Sequence, residues 1–265
     1  MAIIMLNPHE STPTLGWRGE KYFYNQTGIV APNHPTAFGI PMKRSEINSL
    51  IRDAKVFFKE HRFELPRWAN WSPGTWAQHA EDARRIKSLQ MGWDITDFGS
   101  KDFYRTGLIL FCIRNGRPGA GPGGKVYAEK IMVVREEQET PLHFHFSKQE
   151  DIINRGGGQL VVELHNADAK ENLATTPVTV SVDERPRQLR PGEPLVLEPG
   201  ESITLPTRLY HRFYGAKGRG KVLVGEVSQV NDDTKDNRFL TAPGRFPAIE
   251  EDEPALHPLW PELPG

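Results

Sequence analysis

From about Gly92 onward the chain is a succession of short apolar runs cut by turn residues, and this punctuation limits the fold more than any other feature. TGLILFCIRNG, KVYAEKIMVVRE, GQLVVELHN, VTVSVDE, PLVLEPG, ESITLP, YHRFYG and GKVLVGEVSQV are rich in Val, Ile, Leu, Phe and Tyr, and Gly, Pro, Asn or Asp bound them. β-Branched and aromatic side chains fit a pleated surface, and runs this short do not sustain helices. Eight or so strands at close spacing predict an all-β sandwich or barrel across residues 93–231.

The preceding segment follows a different period. In SEINSLIRDAKVFFKEH the residues Ile47, Leu50, Ile51, Ala54, Phe57 and Phe58 recur at helical spacing, with Ser45 as the expected N-cap and Pro66 as a stop. WAQHAEDARRIKSLQ predicts a second short amphipathic helix, so residues 42–92 read as a helical segment packed on the barrel. Residues 1–41 are rich in Pro, Gly, Asn and Thr, with Trp17, Tyr22, Phe23 and Tyr24 embedded, and read as an irregular aromatic arm. Residues 232–265 are polar, then acidic and Pro-rich, and read as a C-terminal wrap around one structural domain.

A chain of 265 residues is ample for a buried core. With 33 basic against 34 acidic residues, the net charge of −1 implies no field for polyanions, which argues against nucleic acid as a partner. No apolar run reaches membrane-spanning length, and the start MAIIMLNPHE is too short for a secretory leader, so a cytoplasmic protein is expected. The single cysteine, Cys112 in GLILFCI, excludes an intramolecular disulfide and reads as a core residue.

Two glycine-rich stretches resemble phosphate loops by letter only. GAGPGGK (Gly119–Lys125) is followed by Val126 where a hydroxyl is needed, and then by a strand rather than a helix, so it reads as a hairpin. Gly156, Gly157 and Gly158 lack dinucleotide-loop spacing and read as a tight turn before QLVVEL.

Histidine spacing carries the chemistry. His143 and His145, at i and i+2 of an extended segment, point to one side; Glu150 follows five residues later, and His211 stands in YHRFYG. Three imidazoles and a carboxylate suit Mn, Fe, Co, Ni or Zn at a reactive centre. A solvent-facing histidine pair is the alternative for His143 and His145 alone.

The punctuation around these residues resembles the cupin motifs. His143 to Gly157 reads H-x-H-x4-E-x6-G, and Gly200 to His211 reads G-x5-P-x4-H. Glu137 stands where the first motif opens with Gly, and Arg208 and Gly215 stand where the second has Gly and Asn; these departures bear on turn geometry, not on the ligands. From Met42 onward, MKRSEIN, MGWDITDFG, LFCIRNGRPG, YAEKIMVVRE, TPLHFHFSKQEDIINRGGGQLVVEL, VLVGEVSQVNDD, DNRF and RFPAIEEDEP resemble the D-lyxose isomerase family of sugar ketol-isomerases. That resemblance implies a jelly-roll-like cupin barrel, one divalent metal per subunit with manganese preferred, and a homodimer or larger assembly. It also implies interconversion of D-lyxose with D-xylulose and of D-mannose with D-fructose. Cobalt, iron or zinc would also suit the donor set.

Moving a proton between adjacent carbons needs a group beside the metal but not bound to it. Glu226, a strand glutamate among valines, is the first candidate, and Lys148, two residues before Glu150, the second. Lys130 interrupts an apolar strand and is a candidate for substrate binding, as are Asp236 and Arg238 in KDNRF. Each has a plain alternative as a solvated or ion-paired surface residue. Trp68, Trp71, Trp76 and Trp93 read as aromatic core or interface rather than a sugar platform. His9, His34, His61, His79, His165 and His257 have no partner pattern. The competing functions are a cupin dioxygenase, a phosphosugar isomerase on the same barrel, and a non-catalytic sugar-binding or storage protein.

Overall fold

A computed structural model describes residues 42–230, 232, 235–241, 244 and 248–265. The aromatic arm expected at 1–41 lies outside the described residues. Strand β1 (Met42–Lys43) leads into helix α1 (Arg44–Glu60), followed by a 3-10 turn (Arg67–Asn70), α2 (Pro73–Gln78) and α3 (Ala80–Ser88). The strands that follow are β2 (Gly92–Thr96), β3 (Leu108–Arg114), β4 (Tyr127–Val134), β5 (His143–His145), β6 (Glu150–Gly157), β7 (Leu160–Asn166), β8 (Val178–Val182) and β9 (Arg185–Leu189). Then come β10 (Leu195–Leu197), β11 (Ser202–Leu205), β12 (Leu209–Gly215), β13 (Val222–Gln229), β14 (Asn237–Phe239) and β15 (Ile249–Glu250).

Among the described residues these strands form two main antiparallel sheets. One has the order β2-β3-β4-β13-β6-β11-β8-β9, the other β10-β7-β12-β5-β14, and β1 pairs separately with β15. The strands alternate inward apolar residues with outward polar ones, as in β8, where Val178, Val180 and Val182 are buried. Leu160, Val162, Leu164, Ile203, Leu205, Val222 and Val224 bring the two inner faces together in one core. The two packed antiparallel sheets are the all-β arrangement expected from the strand spacing, and they agree with the jelly-roll-like form that the resemblance implies.

Helix α1 buries Ile47, Leu50, Ile51, Ala54, Phe57 and Phe58 against Trp93, Phe111 and Ile131 of the larger sheet. Its start departs from expectation. Lys43 is the N-cap and offers no side-chain bond; Ser45 lies inside the first turn, and its N–H donates to Asp252 Oδ1 at 2.8 Å. The exposed donors of a helix start need an acceptor, and a carboxylate from the C-terminal segment supplies it. The second predicted helix is two, α2 and α3, broken at His79. Trp68, Trp71 and Trp76 pack on one another, and Trp93 stacks on Phe58, so the tryptophans form core rather than a sugar platform.

One further expectation is corrected. The glycine triplet is not a simple turn: β6 runs to Gly157, and its register with β13 slips between Asn154, which pairs with Val224, and Gly156 (φ +147°), which pairs with Leu223. A β-bulge needs this backbone freedom. Within the C-terminal segment, β14 joins the smaller sheet beside β5. GAGPGGK is the exposed connection between the antiparallel pair β3 and β4, as expected.

Candidate active site and metal centre

Strand β5 positions two of the three clustered histidines. Alternation turns His143 and His145 to one face and buries Phe144 on the other against Tyr210, with ring centroids 4.8 Å apart. The neighbouring β12 brings His211 into register with His143. The nitrogens of His143, His145 and His211 lie within 4.8 Å of one another. Glu150, at the start of β6 in the facing sheet, places Oε1 3.1 Å from His211 Nε2 and 3.4 Å from His145 Nε2.

Three imidazoles within 4.8 Å of one another, with a carboxylate beside two of them, are donors of the kind a divalent ion accepts. His143 Nδ1 meets the Pro141 carbonyl at 2.8 Å, and His211 Nδ1 meets that of Leu209 at 2.9 Å. A carbonyl accepts only from N–H, so both rings present an Nε2 lone pair to the cluster. Burial, then the neighbouring imidazoles of His211 and His145, hold His143 well below its ordinary pKa. Burial, then the Lys148 ammonium, lowers His145. Neutral imidazoles are the form a metal binds. Burial works to raise the Glu150 carboxyl, but Lys148 and His145 together hold it well below its usual value, as a carboxylate.

These groups line a cavity of about 370 Å³ between the two sheets. Glu226 faces it from β13 and Lys130 from β4, directly opposite each other in register. Glu226 Oε1 accepts from Lys148 Nζ at 3.0 Å and from Lys130 Nζ at 3.2 Å. Lys148 also reaches Glu150 Oε2 at 2.6 Å, so its ammonium bridges the two carboxylates. All four charged groups are buried, which a protein tolerates only when charges are paired.

Asp236 and Arg238 do not share this placement. Arg238 pairs with Glu171 at 2.9 Å, and the Asp236 carboxylate binds Ser147 and the Lys148 backbone. Asn237 and Phe239, the alternate residues of β14, line the cavity instead. Asp94, Thr96, Phe98 and Thr140 complete its wall and were not singled out from sequence. The stretch MGWDITDFG, which holds Asp94, Thr96 and Phe98, was the available signal. Of the remaining histidines, His61 packs on Phe57 and His257 meets Lys55 at 3.0 Å; His9 and His34 lie outside the described residues.

Two packed antiparallel sheets, with a glutamate and three histidines that could hold a metal ion gathered at one cavity, make this a mainly-β protein with a candidate metal centre. Among the solved structures of similar fold are two L-ribose isomerases. L-ribose isomerase of Acinetobacter sp. DL28, solved as a mutant with L-ribose, matches with TM-score 0.54 and 14% identity over 81% of this chain and all of that one. L-ribose isomerase of Cellulomonas parahominis with L-ribose gives 0.53 and 16% over 79% and 99%. At such identity the likeness is one of fold.

The chain belongs to the D-lyxose isomerase family, whose profile matches residues 42–263. It is 51% identical over 220 residues to a D-lyxose/D-mannose isomerase of Serratia proteamaculans, covering 83% of this chain and 95% of that protein. It is 50% identical over 215 residues to one from Escherichia coli O157:H7, covering 81% and 95%. The protein is therefore an aldose–ketose isomerase of sugars. Among the described residues no helix is long and apolar enough to cross a membrane.

Proposed function

We propose that the cavity interconverts D-lyxose with D-xylulose and D-mannose with D-fructose. The observation that carries this reading is the Glu226 carboxylate facing the three-histidine cluster across one cavity, with Lys130 and Lys148 on its Oε1. The Serratia and Escherichia relatives supply the two aldoses by name. These sugars share their configuration from C2 to C4, so one pocket reads both through the same hydroxyls.

Converting an aldose into a ketose moves one proton from C2 to C1 and another from O2 to O1. Glu226 takes the C2 proton and returns it to C1 on the same face. Lys148 and Lys130 donate hydrogen bonds to sugar oxygens as negative charge passes between them. Leu108, Leu110, Met132, Ile152 and Phe239 give the cavity an apolar wall that limits water near the transferred proton. When bound by His143, His145, His211 and Glu150, a divalent ion supplies Lewis-acid polarisation, manganese first, with cobalt, iron or zinc also suited to the donors. The homodimer or larger assembly implied by family resemblance belongs to the same reading, and sedimentation tests it.

The deciding experiment strips the protein with a chelator and restores it with manganese, cobalt, iron or zinc in turn, without oxygen. Conversion of D-lyxose and D-mannose should vanish and return. Failure to convert either aldose with any ion overturns the proposal, and oxygen uptake with substrate would favour the dioxygenase instead.

A further inference from the structure

The connection between β5 and β6, residues 146–149, carries Lys148, and its backbone donors have an unusual set of acceptors. Phe146 N–H donates to the Asp236 carbonyl at 3.0 Å. Ser147 N–H donates to Asp236 Oδ1 at 2.9 Å, and Lys148 N–H to Oδ2 at 3.1 Å. Gln149 N–H donates to Gln229 Oε1 at 3.0 Å, and the Ser147 hydroxyl donates to Asp236 Oδ1 at 2.6 Å. One residue, only 8% exposed, thus accepts four of these five bonds. Asp236 lies outside the cavity wall, so its carboxylate serves the loop rather than the ligand.

We infer that Asp236 is a positioning residue for the isomerisation. It fixes the Ser147–Lys148 backbone so that the Lys148 ammonium stands between Glu150 and Glu226, 2.6 and 3.0 Å from their oxygens. The inference rests on the reading of the cavity given above. A lysine side chain has four rotatable bonds, and a wandering backbone would leave its ammonium without a fixed address. Both carboxylate oxygens are used as acceptors. An amide offers only one and turns its own N–H₂ toward a backbone donor, so even Asp236→Asn breaks the arrangement.

The test compares Asp236→Asn, the milder change, with Asp236→Ala in the metal-loaded full chain. Metal content should stay at the wild-type level. The value of kcat should fall about 10- to 100-fold, the effect of roughly 1 Å of misplacement, while KM changes less than about threefold. In the lysine side-chain NMR spectrum the Lys148 signal should move, and signals of lysines outside the cavity should not. An unmoved Lys148 signal in both variants overturns the inference, as does a rise in KM at constant kcat. If the wild-type chain isomerises neither aldose, the proposed function fails, and the lysine spectrum alone still decides whether Asp236 places Lys148.

Discussion

His211 on β12 pairs in register with His143 on β5, their ring centroids 4.3 Å apart, and each Nδ1 is tied to the carbonyl two residues earlier in its own chain segment. The same local device therefore fixes both rings from two separate strands. His143→Ala and His211→Ala should each lose bound metal, measured by elemental analysis after dialysis, and lose turnover with it. The wild-type melting temperature should also fall on chelation, because an ion at about 100 times its Kd adds roughly 2.7 kcal/mol. Either variant keeping full metal and full turnover would remove that histidine from the ligand set.

Glu226 presents a different expectation, since it faces the cluster without belonging to it. Glu226→Gln keeps the shape and can still accept from Lys130 and Lys148. It should retain the metal and lose about 10²- to 10⁴-fold in kcat, the usual range for a proton-transfer group. Near-normal turnover at full metal content would move proton transfer to another cavity residue.

The alternation of apolar and turn residues made the long strands legible, because β4, β7, β12 and β13 each span enough residues to show their phase. The four proposed ligands were legible too, since H-x-H fixes two on one face and the motif spacing adds Glu150 and His211. Short elements hid their phase. β14 has three residues, so nothing in KDNRF told that Asn237 and Phe239 face inward while Arg238 faces Glu171. The departures from cupin punctuation kept the geometry and changed only the residue. Glu137 and Arg208, standing where glycine is usual, adopt φ +55° and +61°. Arg208 is held there by its N–H to the His145 carbonyl at 2.9 Å and by its guanidinium over the Phe144 ring. Asp252 at the start of α1 was invisible because the two are about two hundred residues apart.

The bulge at the end of β6 gives a stability prediction. A Cβ on Gly157 would stand 2.3 Å from the Lys221 carbonyl oxygen, at a φ that side chains avoid. Backbone cannot swing aside as a side-chain tip can, so Gly157→Ala should destabilise by about 1–3 kcal/mol. Urea unfolding should show a lower midpoint with an unchanged slope. An unaltered midpoint would mean that the β6–β13 register tolerates the added carbon.

The clasp between α1 and the C-terminal segment sets a pH dependence. Arg44, buried to 1% exposure, donates to both Glu251 oxygens at 2.9 and 2.7 Å and also pairs with Glu262. Ser45 gives its N–H and hydroxyl to Asp252 at 2.8 and 2.7 Å. The Arg44 hydrogen bond lowers the Glu251 carboxyl, and the Ser45 bonds lower that of Asp252. A carboxyl whose folded pKa lies below its unfolded one stabilises fully above the unfolded value, about 3.9 for Asp and 4.3 for Glu. That contribution is lost as pH falls through the folded value. Both groups are largely solvent-facing, so the effect is modest and weakens with salt. The melting temperature should fall between about pH 5 and pH 3, and less steeply in a Glu251→Gln, Asp252→Asn double variant. Parallel curves for the two proteins would show that the clasp carries no acid sensitivity. A steeper fall in the variant would reverse the sign argued here.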